Sequence, residues 1–198
     1  MTDQPFPSPL RRVRIVLWAA VAIALAAFAY IQLRPPAAPD APAFAPFTLV
    51  DGKGQPFSSA KLDGKPLALY FGFTRCGDAC PTTLGRMARL RDRIGGPDTF
   101  NLVFITIDPE HDGPAQVGQY ATVFDTPIIG LTGSKDAIAK VKRDFGIHAE
   151  PTPHAGAGME MAHTTTVLLF DREGRRAGNI SMSDSDEAAL AALKRITG

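Results

Sequence analysis

The chain has 198 residues, 45% hydrophobic and 21% charged, enough for one ordinary domain and an added segment. Its 21 Lys and Arg face 20 Asp and Glu for a net charge of +1, and Arg11, Arg12, Arg14 and Arg34 flank a single apolar run, so the remainder is near neutral and lacks the basic footprint of a nucleic-acid-binding protein. Two cysteines are too few for a disulfide scaffold or a four-thiolate zinc site.

Residues 1–14 carry the first three arginines, and residues 15–31, IVLWAAVAIALAAFAYI, hold no charge. That run, extended by Gln32 and Leu33, reaches the roughly 17–25 residues a membrane-spanning helix needs. Residues 15–33 are therefore expected to be a transmembrane anchor. The arginines ahead of it place residues 1–14 in the cytoplasm and the rest on the outer, periplasmic side of the inner membrane. The alternative is a cleaved signal peptide, with Ala27 and Ala29 as a small-x-small site, although the run exceeds the usual signal core of about 7–15 residues. Both readings export the domain, and no cysteine lies near the run to carry a lipid. In an oxidising compartment a cysteine pair closes to a disulfide unless a reductant or a metal keeps it apart.

Residues 34–46, RPPAAPDAPAFAP, read as a semi-rigid tether, and the folded domain is expected over 47–198. FTLVDGKGQPFS predicts two strands around a turn at 51–54. KPLALYFGF (65–73) and NLVFITI (101–107) predict strands buried on both faces. Between them, 81–94 carries Leu84, Met87, Leu90 and Arg91 at helical spacing behind Pro81. A helix is expected over 114–124, then a short strand in PIIGLTG, then a helix capped by Ser134 and stopped by Gly146. TTTVLLFDREGRRAGNIS predicts a hairpin and DSDEAALAALKRI a closing helix with acids first and bases last. The order implies an α/β fold, a central mixed sheet flanked by helices.

Cys76 and Cys80 sit in YFGFTRCGDACP, where a buried strand gives way to a helix. Ligands gather at the carboxyl ends of strands in such sheets. With a helix starting near Asp78, Cys76 lies in the loop and Cys80 in the first turn, where the positive helix end and Arg75 are expected to favour thiolates at either cysteine. In GAGMEMAHTTTVLLF, His163 is expected at the start of a strand from which it can reach the cysteine loop; the plain reading is a polar strand-end residue. Two thiolates and an imidazole suit Cu(I) and accept Cu(II). Zinc takes the same donors, but a structural zinc site wants four.

YFGFTRCGDACP, the later FITIDPEHD, the HTTTVLLF strand start and the entry stretch FTLVDGKGQPFSSAKLDGKP together resemble the Sco/SenC family of membrane-anchored, thioredoxin-like copper proteins of cytochrome c oxidase assembly. The resemblance covers 47–198. It implies a thioredoxin-like fold and one copper per domain, as Cu(I) or Cu(II), on Cys76, Cys80 and His163. It further implies a metallochaperone that passes copper by thiolate exchange to the dinuclear site of cytochrome c oxidase subunit II, with periplasmic copper chaperones or thiol reductants as further partners. Asp78 and Asp108 match acidic positions of the motifs; Asp78 would act around the metal or in docking, and Asp108 reads equally as a strand-ending acid. Two departures stand out: Gly77 where members commonly have Pro after the first cysteine, and Ala162 where they commonly have Asp before the histidine.

The alternative function is a thiol–disulfide oxidoreductase in which Cys76 and Cys80 reduce the acceptor's cysteines or sense redox state. Such enzymes usually carry a proline just before the strand facing the cysteines; Met161, Ala162 and His163 stand there instead, which favours metal chemistry. A peroxidase fits the fold without a further feature to support it. Met159 and Met161 are either Cu(I) relays or flexible fillers. His111, His148 and His154 are expected as solvated residues.

Overall fold

The structure, a computed structural model, describes the backbone of residues 9–33, 44–151, 161–163 and 165–198, with side chains over 13–25, 44–149 and 165–198. It divides into two compact units, Met1–Pro39 and Asp40–Gly198. In the first, α1 (Pro9–Leu33) is a helix of 25 residues whose side chains over 13–25 are exposed. Among the described residues no helix is long and apolar enough to cross a membrane.

The second unit is built on a 7-stranded sheet. In chain order it runs β1 (Thr48–Asp51), β2 (Pro56–Ser58), β3 (Leu67–Gly72), α2 (Ala79–Arg93), β4 (Asn101–Thr106), α3 (Pro114–Ala121), β5 (Ile129–Thr132), α4 (Lys135–Phe145), β6 (Ala149–Pro151), β7 (Met161–His163), β8 (Val167–Phe170), β9 (Arg176–Ile180) and α5 (Asp186–Thr197). The sheet order is β2-β1-β5-β4-β3-β8-β9. Strands β3, β4 and β5 are parallel neighbours, and the outer pairings are antiparallel. The mixed sheet with helices on both faces is the expected thioredoxin-like architecture.

Every residue of β3 is buried, and its side chains alternate between two apolar clusters. Leu67, Leu69 and Phe71 join Val141, Phe145 and Phe170 on one face. Ala68 and Tyr70 join Cys80, Leu84, Phe104, Val117 and Leu193 on the other. Helix α4 covers the first face, and α2, α3 and α5 contribute to the second. The α4 boundaries follow the sequence signals: Ser134 accepts the Ala137 N–H at 3.2 Å, and Gly146 stops the helix at φ 67°, a left-handed conformation that favours glycine.

Two features depart from expectation. Phe44, ahead of the boundary expected at Phe47, already packs in the domain, edge-on to Phe170 at 5.4 Å, and its N–H donates to the Gly174 carbonyl at 3.0 Å. The strand expected to start at His163 is two separate strands. Met161–His163 pairs back on Ala149–Pro151 in a two-stranded ribbon, with Ala149 opposite His163, and the sheet strand starts only at Val167. A strand buried on both faces needs an unbroken apolar run, which Val-Leu-Leu-Phe supplies and Met-Ala-His does not.

Candidate metal centre

Strand β3 delivers the chain to the edge of the sheet at Gly72, and Asp78 takes the N-cap position of α2 without a capping bond from its side chain, so the loop between them carries Cys76 and the first helical turn carries Cys80. The two are not joined in a disulfide, and Cys76 is half-buried while Cys80 is fully buried. The Cys80 N–H, one of the donors a helix start leaves unpaired, points at the Cys76 sulfur at 3.3 Å. On its other side the Cys80 sulfur accepts the Tyr70 hydroxyl at 3.5 Å. It lies over Gly72, where a Cβ would come within 2.8 Å of it. The missing side chain at Gly72 is what lets the sulfur settle onto the sheet.

The expectation that the helix start favours a thiolate fails for Cys80. Burial against the apolar face pushes its thiol up to about 12, and the Tyr70 hydrogen bond offsets only part of that. A metal ion must therefore displace a firmly held proton at Cys80, while Cys76 is the sulfur open to solvent. The metal-free reduced protein is expected to take one iodoacetamide label, at Cys76, at neutral pH. Cys80 should react only after unfolding. Mass spectrometry of the peptides checks this, and equal labelling of both would contradict the burial argument.

An acidic network missed by the sequence reading holds the cysteine loop from below. Asp112, fully buried, accepts the Thr74 N–H at 2.8 Å, the Thr74 hydroxyl at 2.5 Å and the Thr106 hydroxyl at 2.6 Å. Its carbonyl accepts the Thr132 hydroxyl at 2.6 Å. Asp108 pairs with Arg75 at 2.7 Å and with His111 Nδ1 at 2.9 Å. Burial works against its charge, but hydrogen bonds from His111 and Arg75 outweigh that and hold the carboxyl below its ordinary range. Asp108 is thus a working part of the loop's support, and His111, exposed to solvent as expected, is also its partner. The signal was present in the sequence: three acids in Asp-Pro-Glu-His-Asp straight after a buried strand are more charge than a turn needs.

Asp78 is exposed and accepts the Thr82 hydroxyl at 3.1 Å. His148 is exposed beside the ribbon. The side chains of His163 and Met161, and residues His154 and Met159 altogether, lie outside the described residues. Among the described residues no group of three His, Cys, Asp or Glu forms a metal cage. The two sulfurs are soft donors at this edge of the sheet, and they suit a soft ion such as Cu(I) over an oxygen-seeking one.

The SCO1/SenC family model matches residues 36–198. The chain belongs to the SCO1/SenC family. A mitochondrial SCO1 homolog 1 of Arabidopsis thaliana is 36% identical over 131 residues, 65% of this chain and 39% of that protein. A mitochondrial SCO2 homolog of Mus musculus is 30% identical over 153 residues, 75% of this chain and 60% of that protein. The matched part thus spans 39% and 60% of these relatives, less than two thirds of either. The copper-bound structure of ScoI from Bradyrhizobium japonicum superposes with a TM-score of 0.69 at 35% identity, covering 78% of this chain and 99% of that one.

Proposed function

We propose that this SCO1/SenC protein is a copper metallochaperone holding one copper ion on Cys76, Cys80 and His163 and handing it to the dinuclear copper site of cytochrome c oxidase subunit II. The observation that carries the reading is the asymmetric cysteine pair. Cys80 is fixed against the sheet and Cys76 is half-exposed, with the Cys80 N–H on its sulfur. An acceptor thiolate can displace Cys76 first, while Cys80 still holds the metal, and then displace Cys80. No stage leaves the ion without a thiolate. The copper-bound ScoI relative supports the choice of metal. The charge-free run at 15–31 behind Arg11, Arg12 and Arg14 supports a single-pass anchor, with the domain on the periplasmic side of the inner membrane. Copper donors or thiol reductants of that compartment are the further partners.

The test is Cu(I) uptake by the full chain in detergent, reduced and in competition with a chromogenic chelator. Wild type is expected to hold one copper. Cys76→Ser and Cys80→Ser should each lose at least about 100-fold in affinity, since even residues outside the ligand set are worth 10–100-fold. His163→Ala should also weaken binding, and an unchanged affinity there would remove His163 from the ligand set. A wild type that takes up no copper would defeat the reading. It would leave the thiol–disulfide alternative, in which the half-exposed Cys76 attacks and the buried Cys80 resolves.

A further inference from the structure

Burial alone does not hold the Cys80 sulfur. Tyr70 in β3 is fully buried, and its hydroxyl donates to that sulfur at 3.5 Å. The two groups adjoin one spot on the sheet: a Cβ at Gly72 would lie 2.8 Å from the sulfur and 3.1 Å from the Tyr70 ring. Tyr70 stands opposite Phe104 in the parallel pair β3–β4, and Cys80 stands in the first turn of α2. Packing therefore sets the contact, since neither group can withdraw without opening the core.

Behind the phenol stands Thr83, one helical turn after Cys80 and 5% exposed. Its hydroxyl has one proton and two acceptors in reach, the Tyr70 oxygen and the Met182 sulfur at 2.8 Å. A thioether is a weak acceptor, so the phenol oxygen competes well for that proton and its own proton is left for Cys80. Strand β9 runs antiparallel to β8, and β8 antiparallel to β3. The turn after β9, with Met182, therefore opens at the end of the sheet where the cysteines lie. Arg86 fastens that turn to α2, donating to the Ser181 carbonyl at 3.1 Å, the Asp184 carbonyl at 2.6 Å and the Asp186 carboxylate at 2.8 Å. The clamp holds Met182 over Thr83.

Hydrogen bonds to a ligand atom orient it and tune the metal it holds. We infer that Tyr70 is a positioning residue for the copper cargo: its hydroxyl keeps the Cys80 sulfur in place while the ion arrives and leaves, and Thr83 aims that hydroxyl. The line from Thr83 through Tyr70 to Cys80 fixes the cysteine that stays on the ion while Cys76 exchanges. It also draws electron density from one sulfur of the pair, so the two differ in electronic character as well as in exposure. The inference rests on the copper reading above.

The experiment compares full-chain wild type, Tyr70→Phe and Thr83→Val in detergent, each metal-free and then copper-loaded. Tyr70→Phe keeps the ring and adds no atom, so the fold should hold and the metal-free Tm should fall by only a few degrees. Cu(I) affinity should fall about tenfold, the effect of one hydrogen bond to a charged group. In the Cu(II) form the sulfur-to-copper charge-transfer band should move to longer wavelength, because the bond no longer holds the sulfur electrons. A merely structural role would lower Tm without moving the band. Thr83→Val should move the band the same way by less. Tyr70→Phe that loads with wild-type affinity and band would overturn the inference alone. A wild-type band in Thr83→Val would overturn the part assigned to Thr83, and the whole inference if Tyr70→Phe does not fold. A wild type that takes up no copper would overturn the copper reading and this inference with it.

Discussion

Replacing Asp112 by alanine is expected to cost at least about 3 kcal/mol of stability, because three donors lose their acceptor at once and each buried unmade bond costs about 1–3 kcal/mol. The carboxylate is fully buried and gathers the Thr74 N–H, the Thr74 hydroxyl and the Thr106 hydroxyl. Water entering the space left behind would recover part of the loss. Asp112→Asn keeps one acceptor oxygen but turns an amide N–H₂ toward donors, so it should fall between alanine and wild type. The functional consequence follows from where Thr74 sits. It is fixed to Asp112 just before Cys76, and that fixation sets where the half-exposed sulfur stands. Cu(I) affinity should therefore drop by about 10-fold or more in either variant, as for residues that orient metal ligands elsewhere. Urea midpoints at constant slope measure the stability change. An Asp112→Ala protein within 1 kcal/mol of wild type, on the scale of a single net hydrogen bond, would mean that the network is ornamental.

Gly72→Ala is the second large effect. The new methyl would meet the Cys80 sulfur at 2.8 Å, the Tyr70 ring at 3.1 Å and the Phe104 ring at 3.2 Å. None of these can yield cheaply. Tyr70 and Phe104 are register partners in the centre of the sheet, and the sulfur hangs on a short side chain in the first turn of α2. Overpacking a filled core by one methyl costs about 1–3 kcal/mol. The least anchored of the three groups is the helix start, so the strain should appear there. Cys80 would be pushed outward, and alkylation of Cys80 in the folded metal-free protein should become measurable. Copper affinity should fall by more than the stability loss alone suggests. Wild-type labelling and affinity in this variant would show that the sulfur does not depend on the bare glycine.

How much of this was readable in the sequence divides by the range of the interaction. Strands β3 and β4 announced themselves because burial on both faces leaves an unbroken apolar run. Helix α4 did so because Ser134 and Gly146 act within their own turn. The cysteines were placed at a strand-to-helix junction by the same local signals. The ribbon joining Ala149–Pro151 to Met161–His163 was not readable, since three-residue strands carry too little period to detect. The Asp112 network escaped because Thr74, Thr106 and Thr132 come from three separate segments that meet only in the folded sheet. The raised thiol at Cys80 escaped for a related reason. A helix start lowers a thiol's pKa by rule, and only the packed structure reveals an apolar wall that reverses the sign.

The hydrogen bond from Phe44 to Gly174 fixes where any upstream chain is hitched to the domain. Gly174 lies in the β8–β9 turn, and β8 runs antiparallel to β3 with Phe170 opposite Leu67. The hitch is therefore at the start of β3, while the cysteines follow its far end. The six residues of β3 at about 3.3 Å each make a lever of about 20 Å. A swing of about 30° about the hitch would carry the cysteine loop through an arc of about 10 Å on that lever. A domain held this way presents its cysteine edge like a hand at the end of a forearm.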